Sequence, residues 1–206
     1  NPFDLKYDKG RGNYDRTHVF SVSWLWSQTH RFAQPVVNRL LEHWSLGAYH
    51  TVQSGNPLNL VMGTDVALNG TGQQNLQHAQ LVPGKTYADV PLDHPNRDAF
   101  ISRFFDTSAF VPVAQVPRGI YGNMGRNVIN GPGMINTDFT LMKDILPREG
   151  LKIQLRGEFF NAFNQVNFGA PATSVTSASF GRILSASPGR TIQVAAKLIC
   201  DSWRLW

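Results

Sequence analysis

Histidine has the widest chemical repertoire of the side chains in this 206-residue sequence, and six are present, at positions 18, 30, 43, 50, 78 and 94. Imidazole binds zinc or moves a proton, and metal-binding pairs recur at spacings such as His-x3-His or His-Glu-x-x-His. No pair of these histidines has that spacing. No nucleophile with a base, and no pair of carboxylates, can be assembled from the sequence either. The sequence therefore predicts neither enzyme activity nor a bound cofactor or metal ion.

Two glycine-rich segments carry other ligand types. The segment from Gly63 to Gly72 is rich in oxygen ligands that could hold calcium, but it lacks the EF-hand pattern, and turns require the same residue types. The segment from Gly122 to Asn127 resembles a phosphate cradle only in its glycines, because the Gly-Lys-Ser/Thr ending and a following helix are missing. We interpret the first as loop structure and the second as a turn.

Composition favours an all-β chain with long polar loops. Charged residues are only 16% of the sequence and aromatic residues 11%, five of them Trp, and few segments have helical periodicity. The net charge is +5, but Lys and Arg are scattered singly, so nucleic acid is not predicted as a partner. The single cysteine, Cys200, excludes an internal disulfide.

A membrane protein built from helices is excluded by hydropathy. No stretch approaches the ~18 uninterrupted apolar residues that a membrane helix needs. A membrane β-barrel is not excluded, because its strands are only half apolar. The sequence starts at Asn1 without a Met or a signal-peptide pattern, so we expect a processed or partial chain.

Five segments alternate between apolar and polar residues over about ten positions, the length of a tilted membrane strand. They are Thr17–Ser27, Trp44–Gly55, Asn136–Asp144, Leu151–Phe163 and Thr191–Cys200. His50 interrupts the apolar side of the second segment, and Met142 and Lys143 break the alternation of the third. We predict that the apolar sides face lipid or form aromatic girdles, through Phe20, Trp24, Trp26, Trp44, Ile153, Leu155, Phe159, Phe163, Val194 and Leu198. We predict that the polar sides face a lumen, through Lys152, Gln154, Arg156, Glu158, Gln193 and Lys197.

The same alternation is compatible with a soluble β-sandwich, so strand length and loop length must decide. Soluble strands usually run ~5–6 residues, and these segments are longer. Short and long connections also alternate, as in membrane barrels. Ile145 to Gly150 is a tight turn, Gln28 to His43 is moderate with a helical turn at Val36–Leu41, and residues 56–135 and 164–190 are long. We predict an all-β fold of antiparallel barrel strands, with 56–135 as an extracellular loop region that carries its own short hairpin.

Strand direction follows if the end of the chain is periplasmic. The turn from Ile145 to Gly150 is then periplasmic, and both long loops are extracellular. Trp24, Trp26 and Trp44 fall at the periplasmic boundary, while Phe159 and Phe163 fall at the outer boundary. Five strands cannot close a barrel, and an open sheet leaves unpaired backbone groups in lipid at several kcal/mol each. We therefore expect partner strands upstream of Asn1.

Several stretches, taken in order, resemble the C-terminal barrel strands of TonB-dependent outer-membrane receptors of the Oar-like kind. Their order and spacing match that family along nearly the whole chain. The segments are Asp15–Phe20, Gln53–Leu58, Phe105–Phe110, Gly122–Asn127, Gly131–Gly133, Arg156–Asn164, Asn167–Gly169 and Phe180–Ile183.

The resemblance implies that residues 1–206 are part of a receptor barrel of about twenty-two strands with an N-terminal plug. It implies uptake of a bulky solute energised through TonB, with outer-membrane lipid, the plug and the barrel-assembly machinery as further partners. One departure is the end of the sequence, because family members usually stop at the last strand, whereas this chain continues from Asp201 to Trp206. The alternative hypothesis is a soluble or surface β-sandwich that binds carbohydrate through exposed Trp and Tyr.

Overall fold

Five long strands form one sheet in the computed structural model, which describes residues 4, 6–31, 33–70 and 77–200. Each long strand pairs with the next long strand along the chain. The strands are β1 (Val19–Ser27), β2 (Trp44–Gln53), β5 (Met134–Arg148), β6 (Leu151–Phe160) and β7 (Thr191–Cys200), with helix α1 (Pro35–Leu41) between β1 and β2. The tail Asp201–Trp206, together with Thr71 and Gly72 of the calcium candidate, lies outside the described residues.

Neighbouring strands run antiparallel throughout this sheet. Strands β6 and β7 pair without a break from Leu151↔Cys200 to Phe160↔Thr191, and β5 pairs with β6 from Phe139↔Phe159 to Arg148↔Leu151. Hydrogen bonds from Ser21 to Thr51 and from Ser27 to Ser45 fix the same direction for β1 and β2. The bonds His50–Thr137 and Asp144–His43 fix it for β2 and β5. The predicted all-β antiparallel fold is confirmed.

Several strand limits differ from the prediction. Strand β1 begins at Val19 rather than Thr17, β2 ends at Gln53 rather than Gly55, and β5 begins at Met134 rather than Asn136. Two further differences have a reason in the backbone conformation. Strand β5 continues to Arg148, so the predicted turn from Ile145 shrinks to Glu149 and Gly150, where Gly150 has a φ of 74°. Strand β6 ends at Phe160 rather than Phe163, because Asn161 has a φ of 50°, a left-handed conformation that breaks a strand. The predicted limits of β7 are confirmed.

The rest of the chain forms a second unit, here called the loop unit, from residues 1–18, 53–134 and 167–187. Residues 19–52, 135–166 and 188–206 form the sheet unit. The long segment 56–135 therefore contains ordered elements, and its predicted hairpin stays a prediction. Among its described residues, the short strands β3 (Pro57–Leu58) and β4 (Ile129–Asn130) come from opposite ends of the segment and pair with each other. It also holds helix α2 (Arg97–Ser102), capped by the Asn96 side chain, which accepts the Ala99 N–H at 2.9 Å.

Apolar side chains give the loop unit a core of its own. Phe105 lies at its centre, with ring centroids 5.1 Å from Phe180 and 6.1 Å from Phe110 in edge-on contacts, a favoured aromatic arrangement. The buried members of this core are Leu58, Leu60, Ala79, Leu81, Val90, Phe105, Ala109, Phe110, Met124 and Ile129. Burial of this kind explains why a segment with little regular structure holds one conformation.

Candidate functional site

The two faces of the sheet differ sharply in chemistry. The register of β5, β6 and β7, together with the cross-strand hydrogen bonds of β1 and β2, places one set of apolar side chains on the same side of all five strands, here called the apolar face. Many of them are exposed, including Val194 at 84% and Leu198 at 64%, which is unusual for a large apolar surface facing water. The apolar face contains Phe20, Val22, Trp24 and Trp26 of β1, Trp44, Leu46, Ala48 and Val52 of β2, Phe139, Leu141 and Ile145 of β5, Ile153, Leu155 and Phe159 of β6, and Ile192, Val194, Ala196 and Leu198 of β7.

The opposite face, here called the polar face, carries the predicted lumen residues. Gln154 lies opposite Lys197, and Glu158 lies opposite Gln193, so these side chains share one side of the sheet. Lys152 and Arg156 alternate with them along β6. The structure thus brings the two predicted sets together on opposite faces. Which face meets lipid and which meets a lumen stays a prediction.

Ion pairs on the polar face form both between neighbouring strands and along one strand. The Lys152 ammonium lies 2.5 Å from the Asp144 carboxylate, which also accepts from Gln154 at 2.9 Å. Arg156 pairs with Glu158 at 2.6 Å. These groups remain partly exposed, so each pair stabilises by only about 0–1 kcal/mol. Paired charges of alternating sign are typical of a polar surface in contact with water, and they are not arranged for proton transfer.

Hydroxyl groups replace charges on the β1–β2 half of the polar face. The Ser21 and Thr51 hydroxyls are 2.9 Å apart, and those of Ser27 and Ser45 are 3.0 Å apart. The Tyr49 hydroxyl donates to Ser21 at 3.4 Å. The polar face therefore changes across the sheet from neutral hydroxyls to paired charges.

The polar residues His50, Thr137 and Lys143 interrupt the apolar face, and each finds a specific partner. His50 Nδ1 lies 2.8 Å from the Thr137 hydroxyl on the neighbouring strand. Lys143 is 8% exposed, and its ammonium donates to the carbonyls of Arg39 at 3.0 Å and Leu40 at 3.3 Å, and to that of Glu42. The break in alternation at Lys143 signalled an irregularity, but sequence spacing gave no sign of this partner.

Aromatic residues of the apolar face gather at both ends of the strands. Trp24, Trp26 and Trp44 lie towards the end that carries α1 and the Glu149-Gly150 turn. Phe20 and Phe159 lie towards the other end, where the Phe163 ring, beyond the end of β6, contacts Phe139 at 5.8 Å. This is the arrangement of two aromatic girdles on a membrane barrel.

His78 is the most enclosed titratable group of the loop unit, at 2% exposed. Its Nδ1 donates to the Met124 carbonyl at 2.8 Å, its Nε2 lies 3.4 Å from the Asp8 carboxylate, and its ring stacks on Tyr7 at 4.3 Å. Burial lowers the pKa of His78, and the positive charge of Arg126 lowers it further. The hydrogen bond to Met124 and the carboxylate of Asp8 act in the other direction, but the pKa stays below its ordinary value. Burial also raises the pKa of Tyr7 to about 12. The backbone N–H of His78, which donates to the Tyr7 hydroxyl, lowers that pKa but by less.

A polar cavity of about 400 Å³ lies beside His78 within the loop unit. The Asn59 amide oxygen and the Arg126 Nε are buried without a hydrogen-bond partner in the described part of the chain and both residues line the cavity. Unpaired buried polar atoms are uncommon and suit a site that takes up a polar molecule. The cavity is lined by Asp8, Asn13, Asn59, Val61, His78, Arg126, Thr173 and Ser174.

The glycine-rich segment Gly122–Asn127 has a structural task, as its interpretation as a turn predicted. A Cβ on Gly122 would lie 1.9 Å from the His78 carbonyl oxygen, so only glycine fits. The Asn123 side chain accepts the Leu81 N–H at 2.7 Å, and Asn127 donates to the Arg11 carbonyl at 2.6 Å. The segment thus ties residues 11–13 and 78–81 together, and its Met124 N–H donates to the Ala79 carbonyl at 3.0 Å.

In the segment considered above as a calcium site, the carboxylate of Asp65 is used in hydrogen bonds that shape the loop. The Asp65 carboxylate accepts the N–H groups of Asn69 at 3.2 Å and Gly70 at 3.1 Å, and the Gln77 amide at 2.5 Å. Desolvation alone would raise the pKa of Asp65, but the Gln77 and backbone hydrogen bonds outweigh it and lower that pKa. Within residues 4, 6–31, 33–70 and 77–200, no group of His, Cys, Asp and Glu is arranged to hold a metal ion.

Long antiparallel strands with one apolar and one polar face define the class of protein as a membrane β-barrel wall. A family model described as outer membrane beta barrel domain matches residues 1–193, and the chain belongs to that family. The protein is located in the bacterial outer membrane. Neither the curated proteins nor the solved structures include a match to the chain. Among the described residues, no helix has the length and apolar character required to span a membrane.

Proposed function

We propose that the protein is part of a TonB-dependent transporter that takes up a bulky solute across the outer membrane. The family establishes an outer-membrane barrel, and the Oar-like resemblance of Arg156–Asn164 and the other segments supports the finer assignment. The apolar face then meets lipid, and the polar face, with Lys152 and Glu158, lines the lumen. The residues act by binding and passage of the solute, without making or breaking bonds.

The observation that carries this proposal is the unequal length of the connections at the two ends of the sheet. One end is joined by α1 and its flanks and by the two-residue Glu149-Gly150 turn. The other end is joined by the long connections β2–β5 and β6–β7, most of whose residues belong to the loop unit. Outer-membrane barrels have short periplasmic turns and long extracellular loops. The loop unit is therefore assigned to the cell surface, where its polar cavity would meet the solute first.

A soluble carbohydrate-binding sandwich is the weaker alternative. A sandwich needs two sheets packed face to face over a shared core. The five long strands of the described chain form a single sheet, and its apolar face is exposed, with Val194 at 84%. Membership of the outer-membrane barrel family also favours the barrel.

Solute uptake by intact cells tests the proposal. Cells of the source organism that carry or lack the gene are compared by mass spectrometry of the spent medium, with a tonB-deleted strain and a protonophore as controls. We expect solutes that disappear from the medium only when the gene, TonB and the proton gradient are all present. Uptake that persists without TonB would mean a passive pore, and identical media with and without the gene would reject transport.

A further inference from the structure

Helix α1 has one apolar and one polar side. At 100° per residue, Val36, Val37, Leu40 and Leu41 fall within one arc, and Asn38 and Arg39 fall outside it. None of its residues is buried, and Val36 and Leu40 are 72% and 65% exposed. Val36 and Leu40 therefore leave most of their apolar surface uncovered by the described chain, whereas Val37 is half-buried.

The C-terminal end of α1 is fixed on the apolar side of the sheet. Lys143, which projects from the apolar face, donates to the carbonyls of Arg39, Leu40 and Glu42. The Trp44 indole, also on that face, donates to the Leu40 carbonyl at 2.8 Å, and the Lys143 ammonium lies 5.5 Å from the Trp44 ring centre. Three carbonyls satisfy the three N–H donors of the ammonium, which explains a charged residue at this position.

An isolated helix of seven residues is not stable in water, because helices shorter than ~12–15 residues are marginal even in favourable sequences. Lys143 and Trp44 hold only its last turn. A covering surface is therefore needed for the arc of Val36, Val37, Leu40 and Leu41. This step rests on the proposed orientation of the sheet, in which the apolar face meets lipid. That face continues to the point where α1 is attached, so lipid is the adjoining medium.

We propose that α1 is an interfacial helix that lies on the outside of the barrel, with its apolar arc in the acyl-chain boundary of the lipid and Arg39 among the head groups. The exposed cations Arg31 and Arg39 suit anionic lipid phosphates. Trp26 and Trp44 of the nearby strand ends lie at the depth that Trp prefers. The helix thereby fixes the height of this end of the sheet in the membrane.

Spin labels on α1 of the full-length protein test this in phosphatidylethanolamine–phosphatidylglycerol vesicles. Leu40→Cys is labelled, with Arg39→Cys as the matched control on the polar side and Leu155→Cys as the lipid reference. All other cysteines, Cys200 among them, are replaced by Ser. We expect high oxygen and low nickel-chelate accessibility at position 40, close to position 155. Position 39 should show several-fold higher nickel accessibility.

Each other result overturns the proposal. Equal nickel accessibility at 39 and 40 means that α1 lies in water. A label at 40 shielded from both oxygen and nickel means that protein covers the arc, and dipolar broadening between labels identifies that protein as a second copy. As an independent check, Val36→Ser with Leu40→Ser should reduce the oxygen accessibility of a label at Leu41→Cys by severalfold. No change there would also contradict lipid contact.

Discussion

The carboxylate of Asp138 on β5 accepts the backbone N–H of Asn161, the residue that directly follows the end of β6, at 2.8 Å. The same carboxylate accepts from the Asn136 side chain at 2.9 Å. Asn161 has a φ of 50°, and its own side chain accepts the Gln165 N–H at 2.8 Å. The segment Arg156–Asn164, one of those that resemble the Oar-like receptors, therefore ends strand β6, and its hydrogen bonds fix the direction in which the chain leaves the sheet.

We expect Asp138→Ala to destabilise the protein by about 1.5–3 kcal/mol, the range for a hydrogen bond to a charged group. Asp138→Asn keeps an acceptor oxygen and should cost less. Urea unfolding of the full-length protein in lipid vesicles, followed by Trp fluorescence, measures both. Equal stability of Asp138→Ala and the parent protein would mean that the Asn161 turn holds without this bond.

The strands could be predicted because a two-residue period is a local property of the sequence. Alternation alone placed Ile153 and Leu155 on one face of the strand and Lys152 and Gln154 on the other, without any knowledge of the neighbouring strands. The exact end of β6 could not be predicted, since the left-handed Asn161 is held by a hydrogen bond to Asp138, which lies 23 residues away.

The loop unit was beyond sequence reasoning for a different reason. Its core joins residues that lie far apart along the chain, such as Leu60, Phe105 and Val175. Such contacts follow from tertiary packing, and neither period nor composition encodes them. In the sequence, His78 was only one histidine among six. No spacing to other residues indicated that it would be buried against Tyr7 and Met124.

Replacement of Gly122 by Ala should disrupt the loop unit, because the new Cβ would lie 1.9 Å from the His78 carbonyl oxygen. We expect a loss of stability of about 1–3 kcal/mol, the usual range for overpacking. Gly12→Ala is the matched control, since no atom lies within 4 Å of its added Cβ. Limited proteolysis of whole cells reports the effect. Cleavage in residues 56–135 should accelerate for Gly122→Ala alone, and equal cleavage of both variants would contradict the close approach.

Lys143→Met should loosen helix α1, because the carbonyls of Arg39, Leu40 and Glu42 lose a charged donor. The expected local cost is about 1.5–3 kcal/mol, read as faster amide exchange of Asn38 and Glu42 in mass spectrometry. Lys143→Arg retains several donors and should exchange more slowly than Lys143→Met. If both variants and the parent protein exchange alike, the ammonium does not hold the helix.

The loop unit should lose stability in mild acid because the pKa of His78 is lowered in the folded state. The unfolded chain, with an ordinary pKa of about 6.5, takes up a proton first. The stabilisation is therefore complete above that value and declines as the pH falls through it. Amide exchange of Ala79 and Met124, corrected for intrinsic rates, should show more frequent opening at pH 5 than at pH 7.5.

Two variants separate His78 from the other groups that face it, namely Tyr7, Asp8 and Arg126. His78→Gln should remove most of the pH dependence. Asp8→Asn should steepen it, because the carboxylate opposes the lowering of the His78 pKa. An unchanged pH profile in His78→Gln would assign the effect to another group.

Orientation of the sheet can be decided with two adjacent positions of β6. Arg156 lies on the polar face and Leu155 on the apolar face, so a barrel wall should expose their side chains to water and to lipid respectively. Arg156→Cys and Leu155→Cys are made in the full-length protein with Cys200→Ser, and a charged, membrane-impermeant thiol reagent is applied to vesicles.

We expect the thiol at position 156 to react at least tenfold faster than the thiol at 155. Brominated lipid should quench a fluorophore at 155 more strongly than one at 156. The pairs Lys197 with Leu198 and Gln193 with Val194 should repeat the alternation on β7, since the register with β6 is unbroken. Equal reactivity at both positions of a pair would show that the two faces meet the same medium, and a reversed order would place the apolar face towards the lumen.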